Sequence, residues 1–268
     1  IIRRLSVKRF IQTAIALSIM VASSTFANPA AAPATNNTPI TPQERSKIEA
    51  VVHQYLLQKP EVLVEALQIL QQRQYQEAEK TVKSTQASAN SFAKALFNQN
   101  GDPLAGNPQG KVTVVEFFDY QCPHCLDMAP VIESIIKSNP DVRIVFKDFP
   151  IRGPMSETAA KAALAANLQG KYYQLNHALL TSKQQPLTEA IIFTIAQNVG
   201  LDVNKLKTDM NSPAIAKQLQ ANLKLAQDLK LFGTPAIFVG QTSANGNIKY
   251  APGQLNQKQL QDLIDQAK

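Results

Sequence analysis

The sequence predicts an α/β protein, with strands and helices in the order β, α, β, a long helical block, β, β, α, preceded by a helical N-terminal region. Three observations carry that expectation. Val112 to Asp119 and Val142 to Phe149 are β-rich apolar runs separated by one helical pattern, Pro123 to Ser138, and strand, helix, strand at this spacing implies a parallel right-handed crossover. Residues 155 to 232 read as consecutive helices, punctuated by Gly170 and Gly200. Ahead of all this, Ile48, Val51, Val52, Tyr55 and Leu56 recur at helical spacing and form one apolar face.

The chain has 268 residues, 44% of them hydrophobic, enough to bury a sizeable core. Four of its seven net positive charges are Arg3, Arg4, Lys8 and Arg9, so the remainder is too weakly basic to argue for a nucleic-acid partner. These cations precede an apolar run, Ala14 to Ala22, and then small residues ending at Ala27, the pattern of a secretory signal peptide over residues 1–27. The run is shorter than the roughly 20 apolar residues of a transmembrane helix, which argues against an uncleaved anchor. Secretion implies an oxidising compartment outside the cytoplasm. Residues 28–40, rich in Pro, Ala and Asn, read as a linker.

Thr41-Pro42-Gln43-Glu44 is a helix start, with Thr41 as N-cap, Pro42 in the first turn and Glu44 as the capping-box acid. Pro60 ends this helix, and a second helical pattern runs from Val62 through a polar stretch towards Phe97. Two amphipathic helices are too little to close a core alone. Residues 41–97 are therefore expected to form an oligomerisation region, making a homodimer or homotrimer; the alternative is that these helices pack on their own main domain, residues 98–268. In that domain Ser212-Pro213 supplies a further helix start, and the run from Pro235 to Gly240, the short Asn247 to Tyr250 strand and a helix from Leu255 to Ala267 close the chain.

Cys122 and Cys125 are the only cysteines, two residues apart around Pro123 and His124. A structural zinc site needs four ligands, and His53, His124 and His177 are the only other candidates of the usual kind; no metal site is expected. A structural disulfide across so short a loop removes little unfolded-state entropy. Redox chemistry remains. With a helix starting at Cys122, unpaired backbone N–H groups and the dipole stabilise a thiolate there, making Cys122 the exposed attacking thiol and Cys125, one turn in, the resolving thiol. His124 adds to thiolate stabilisation, which stabilises the reduced form and makes the disulfide more oxidising. Pro123 sits where its missing N–H costs nothing.

Glu116-Phe-Phe followed by Cys-Pro-His-Cys, with Phe232-Gly-Thr-Pro-Ala-Ile-Phe-Val239 far downstream, resembles the DsbA-type thiol-disulfide oxidoreductases over roughly residues 98 to 268. The resemblance implies a thioredoxin fold with a helical insertion (about 152–230), and a cis Pro235 that lies beside the cysteines and, with Thr234, binds an extended substrate segment. No cofactor is implied beyond a redox-active Cys122–Cys125 disulfide. Thr234 and the N-terminal helices resemble more closely the oligomeric DsbC and DsbG isomerases and the ScsC proteins associated with copper tolerance. The implied function is periplasmic disulfide exchange, isomerisation or oxidation, on unfolded or misdisulfided secreted proteins, with a membrane redox partner, either a DsbD-like reductant or a DsbB-like oxidant. The competing reading is an oligomeric holdase or a Cu(I)-binding protein using the same thiols.

Glu116 stands in an otherwise apolar strand, where burial raises a carboxyl pKa and suits it to exchange a proton with Cys125; the family also places an acid there. Lys147 is considered as its partner, against the alternative of a strand-edge surface lysine. His53 and His177 read as packing or surface histidines, and Tyr172 and Tyr173 as core.

Overall fold

The computed structural model describes residues 40–243 and 247–268, so the expected signal peptide and all but the last residue of the expected linker lie outside the described residues. The described residues divide into two units, 40–63 and 64–268.

In the first unit, α1 (Pro42–Gln58) starts as its sequence dictates. Thr41 Oγ1 accepts from the Glu44 N–H at 3.3 Å while Glu44 returns its carboxylate to the Thr41 N–H at 2.9 Å. None of its residues is buried: Ile48, Val51, Val52 and Tyr55 are all exposed. Pro60 separates it from α2 (Glu61–Ser88).

The second unit is built on a five-stranded sheet. Its strands are β1 (Leu104–Gly106), β2 (Val112–Phe118), β3 (Val142–Asp148), β4 (Ala236–Gln241) and β5 (Lys249–Pro252), in spatial order β1-β3-β2-β4-β5. β2 and β3 run parallel, joined by α4 (Pro123–Ser138), and the other three pairings are antiparallel. Between β3 and β4 lie five helices, α5 (Pro154–Asn167), α6 (Tyr172–Leu180), α7 (Glu189–Asn198), α8 (Val203–Asp209) and α9 (Pro213–Asp228), and α10 (Gln257–Ala267) closes the chain. This is the expected thioredoxin-like architecture with its helical insertion. The three-residue edge strand β1 is additional; it is too short to register as a strand by pattern.

Strand alternation sorts the core into two faces. Val112, Val114 and Phe118 of β2 and Val142, Ile144 and Phe146 of β3 join one cluster with α4, α10 and most of the inserted helices. Val115 and Phe117 of β2 and Val145 of β3 join the other, with Ala89, Leu96, Phe97, Leu225, Ala226, Leu229 and Phe238. The second face is thus covered by the short helical turn Ala89–Phe92 and α3 (Ala93–Phe97), residues that the sequence pattern grouped with the N-terminal helices. The end of α2 is fastened there too. Thr85 donates to the Leu229 carbonyl at 2.8 Å, and Gln86 bonds the Ile248 carbonyl and the Tyr250 N–H. Gly240 packs tightly on this face: a Cβ there would come within 3.1 Å of the Phe97 ring, which would have to shift to admit it.

Lys147 belongs to the second face, which corrects both expectations for it. It is 0% exposed, and it pairs in register with Phe117, whereas Glu116 pairs with Phe146. Neighbouring register positions point to opposite sides of a sheet, so Lys147 cannot reach Glu116. Its Nζ instead donates to Asp102 Oδ2 at 2.5 Å and to the Ala95 carbonyl at 2.9 Å. Nor is it a surface lysine of an edge strand, since it is buried and β3 carries β1 on its outer side over residues 143–145.

Candidate active site

The strand-to-helix turn after β2 places the two thiols. Cys122 is the N-cap of α4, with extended backbone (φ −86°, ψ 116°), and Pro123 occupies the first turn. Cys122 N–H donates to the Asp119 carbonyl at 3.1 Å, and the Cys122 carbonyl accepts the N–H groups of Cys125 (2.9 Å) and Leu126 (3.0 Å). Both thiols are free. Cys125 lies one turn in and is fully buried, as expected.

Cys122 differs from expectation: it too is 0% exposed, though it is covered more shallowly than Cys125. The cover comes from the loop before β4. The Thr234–Pro235 peptide is cis, and Cys122 Sγ donates to the Thr234 carbonyl at 3.2 Å. The Thr234 hydroxyl is buried with no hydrogen-bond partner, and the Pro235 carbonyl is engaged by the Gly253 N–H at 2.8 Å. Around the thiols the surface is open, with Pro123, His124 and Ile151 exposed and Phe232 58% exposed.

The two sulfurs have opposite affinities for a proton. The Cys125 thiol donates to the Cys122 sulfur, and with the Thr234 hydroxyl, the Cys125 backbone N–H and the charge of Arg152 it holds the Cys122 pKa down to about 5 against the opposing effect of burial. Cys125 is pushed far above the ordinary thiol range, first by burial, then by its bond to Cys122 and by the nearby Glu116 carboxylate. Glu116 is itself buried on the thiol face, its Oε1 without a partner, and burial together with the Cys122 charge raises its pKa to about 8. These three groups form one electrostatic unit.

His124 lies at the exposed rim, where its Nδ1 is 3.0 Å from Gln254 Oε1. The cation acting on Cys122 is Arg152, which the sequence reading did not single out. Nor did that reading assign roles to Asp119 and Ser156. Asp119 stands three residues before Cys122, at the strand end where the chain must turn, a position that sequence does mark. Its partners on residues 151 to 156 are more than thirty residues away, and no spacing rule reaches them.

Among proteins of known type, a family model described as a DSBA-like thioredoxin domain matches residues 113–265, more than half the chain, and one described as the copper resistance protein ScsC N-terminal domain matches residues 44–77. The crystal structure of a thioredoxin-like oxidoreductase from Silicibacter pomeroyi is 40% identical with a TM-score of 0.60, over 65% of this chain and 96% of that one. A linker-deletion mutant of Proteus mirabilis ScsC is 25% identical with a TM-score of 0.61, over 86% of this chain and 98% of its own. The thiol:disulfide interchange protein DsbA of Bordetella parapertussis is 29% identical over 52% of this chain and 68% of its own length. Other curated relatives are far longer: the chain spans 22% of the Na(+)/H(+) antiporter NhaA 3 of Salinispora tropica, at 29% identity.

Proposed function

The chain belongs to the family of DsbA-like thioredoxin domains, and on that premise we propose that it catalyses thiol-disulfide exchange in secreted proteins through Cys122 and Cys125. The observation that carries this reading is the split in proton affinity between two thiols one helical turn apart, one pKa held down to about 5 and the other pushed far up. In the oxidising direction a substrate thiolate attacks Cys122 Sγ of the Cys122–Cys125 disulfide. An S–S bond forms between substrate and Cys122, the internal bond breaks, and Cys125 leaves and takes up a proton. A second substrate thiolate then attacks the substrate sulfur and releases Cys122 as thiolate; the substrate has lost two electrons and the protein holds two thiols. In reverse, the Cys122 thiolate opens a substrate disulfide and Cys125, deprotonated, resolves the adduct. Glu116, buried on the same face of the sheet, would take and return the Cys125 proton in this reading.

The two sulfurs carry the electrons, and no further group enters this proposal. His124 and Pro123 set the poise of the pair, and Thr234 with Pro235 offers backbone to an extended substrate. The setting proposed is the periplasm, supported by the signal-like residues 1–27, with a membrane redox partner of DsbB-like or DsbD-like type. Among the described residues no helix is long and apolar enough to cross a membrane.

Trapping separates the two thiols. Cys125→Ser is expected to accumulate mixed disulfides with secreted proteins in cells, and Cys122→Ser to form none and to lose exchange activity. Adducts on the Cys122→Ser protein, or none on Cys125→Ser, would reverse the assignment.

Isomerisation is the finer reading, supported by the exposed apolar residues of α1 and by the ScsC-type match over residues 44–77. These residues would pair between copies of the chain and gather several thiol sites around one misfolded substrate. Val51→Glu with Tyr55→Glu is expected to give a monomer by light scattering, to lose refolding of a scrambled multi-disulfide substrate, and to keep exchange with a small disulfide. Unchanged refolding by a monomeric variant would remove the role assigned to α1.

A further inference from the structure

We propose that Asp119 is a positioning residue for Cys122: its carboxylate ties the turn that carries Cys122 to residues 151–156 and so fixes the main chain of Arg152 relative to that turn. This rests on the reading of Cys122 as the attacking thiol.

Asp119 is 1% exposed and takes part in no ion pair among the described residues. Its carboxylate is instead satisfied by four donors. The Gln121 N–H at 2.7 Å and the Ser156 hydroxyl at 2.7 Å bond Oδ1, and the N–H groups of Ile151 at 2.7 Å and Arg152 at 2.9 Å bond Oδ2. Four donors match the acceptor sites of an ionised carboxylate, which is what makes a buried, unpaired charge tolerable. The Asp119 carbonyl adds a bond from the Cys122 N–H at 3.1 Å. One residue thus holds the thiol turn through its main chain and the Arg152 loop through its side chain.

A second link runs in parallel. The Gln121 side-chain amide donates to the Arg152 carbonyl at 3.2 Å and to Ser156 Oγ at 3.1 Å. Gly153, with φ 102°, lets the chain leave Arg152 and turn directly into α5. The charged and titratable groups that act on Cys122 are Cys125, Glu116 and Arg152, with the Thr234 hydroxyl as a neutral dipole and His124 turned to Gln254. Arg152 is the cation of that set, and it is exposed at the surface, so its effect depends on the loop being held still.

Replacing Asp119 separates position from charge by sign. Loss of a nearby negative charge, by itself, lowers a thiol pKa. Asp119→Asn also sets an amide N–H against backbone N–H donors, which frees the loop and withdraws Arg152. Positioning therefore predicts a rise.

The test is the pH dependence of alkylation of the reduced full-length protein, with folding checked by circular dichroism. Arg152→Met is expected to raise the Cys122 pKa by about 0.5, the size expected for a partner charge near the surface, and Asp119→Asn by a smaller amount, because the loss of its own charge works against the withdrawal of Arg152. The double variant should match Asp119→Asn alone, since both changes remove the same contribution. A fall or no change in Asp119→Asn, or additive rises, overturns the inference while leaving the thiol assignment standing. A wild-type Cys122 that titrates in the ordinary thiol range overturns both. If Asp119→Asn does not fold, Ser156→Ala and Arg152→Met carry the test: both should raise the pKa, and an unchanged value in both overturns the inference.

Discussion

The two faces of the central sheet each bury ionisable side chains, and they treat them differently. On the face covered by residues 85–97, Lys147 and Asp102 meet at 2.5 Å and the lysine also bonds the Ala95 carbonyl. On the thiol face, Glu116 is equally buried but has no cation beside it, and one of its oxygens has no hydrogen-bond partner. A buried charge that is paired and hydrogen-bonded is tolerated, whereas removing one partner strands the other. An unpaired carboxyl in a dry site keeps its proton to higher pH and can exchange it with a neighbour. Adjacent register positions on two parallel strands thus carry a paired ion on one side and a lone buried carboxyl on the other.

The largest way to break this comparison is to strip the structural face. A chain starting at Gly101, near the boundary that sequence pattern alone suggests, loses Ala89, Leu96 and Phe97 from that core. It should be less stable by more than about 5 kcal/mol, from the summed cost of a buried Leu and Phe. Denaturant unfolding checks this; wild-type stability in the shortened chain would mean that residues 85–97 are an attachment and not part of the core.

Next, Lys147→Met leaves Asp102 buried without its cation and should cost about 3–5 kcal/mol in unfolding free energy. The reduced protein should keep its thiol titration, because the change lies on the far face. A shifted Cys122 pKa in this variant would show that the two faces are coupled.

Glu116→Gln tests the other side through pH. The folded pKa of Glu116 is raised from 4.5 to about 8, so its contribution to stability is fully present below the lower value and is lost as pH rises through the upper one. Wild type should lose on the order of 5 kcal/mol more than Glu116→Gln across that window in the reduced state. Asp148, raised to about 7 by burial, stays in both proteins and cancels in the difference. Equal slopes would mean that Glu116 ionises freely. At neutral pH the same variant should slow resolution by Cys125 by about 10- to 100-fold, as loss of a proton-transfer group does; an unchanged rate would assign that proton to water.

How much of this was legible in the sequence follows from the range of each interaction. The Thr41–Glu44 cap, the strands around Val112 and Val142, the helix start at Pro123 and the cysteine pair are set by neighbours within a few residues. All of these are where sequence places them. Lys147 was misplaced because its partner, Asp102, is 45 residues away and the face it occupies is defined by residues near 95. The domain boundary blurred for a related reason, since helical periodicity continues without a break from α2 into residues that are core. Cys122 was expected to be exposed because a helix tip usually is; the loop at Thr234, 112 residues on, covers it. Asp119 has a marked position but a role fixed by distant donors.

The central claim is that Cys122 is a thiolate at neutral pH while Cys125 is not. It is tested most directly by the alkylation rate of the reduced, full-length protein as a function of pH, with modified cysteines identified by mass spectrometry. The predicted result is modification at Cys122 alone, with a midpoint near about 5. Modification of both cysteines with one midpoint near the ordinary thiol value of about 8.5 would contradict it.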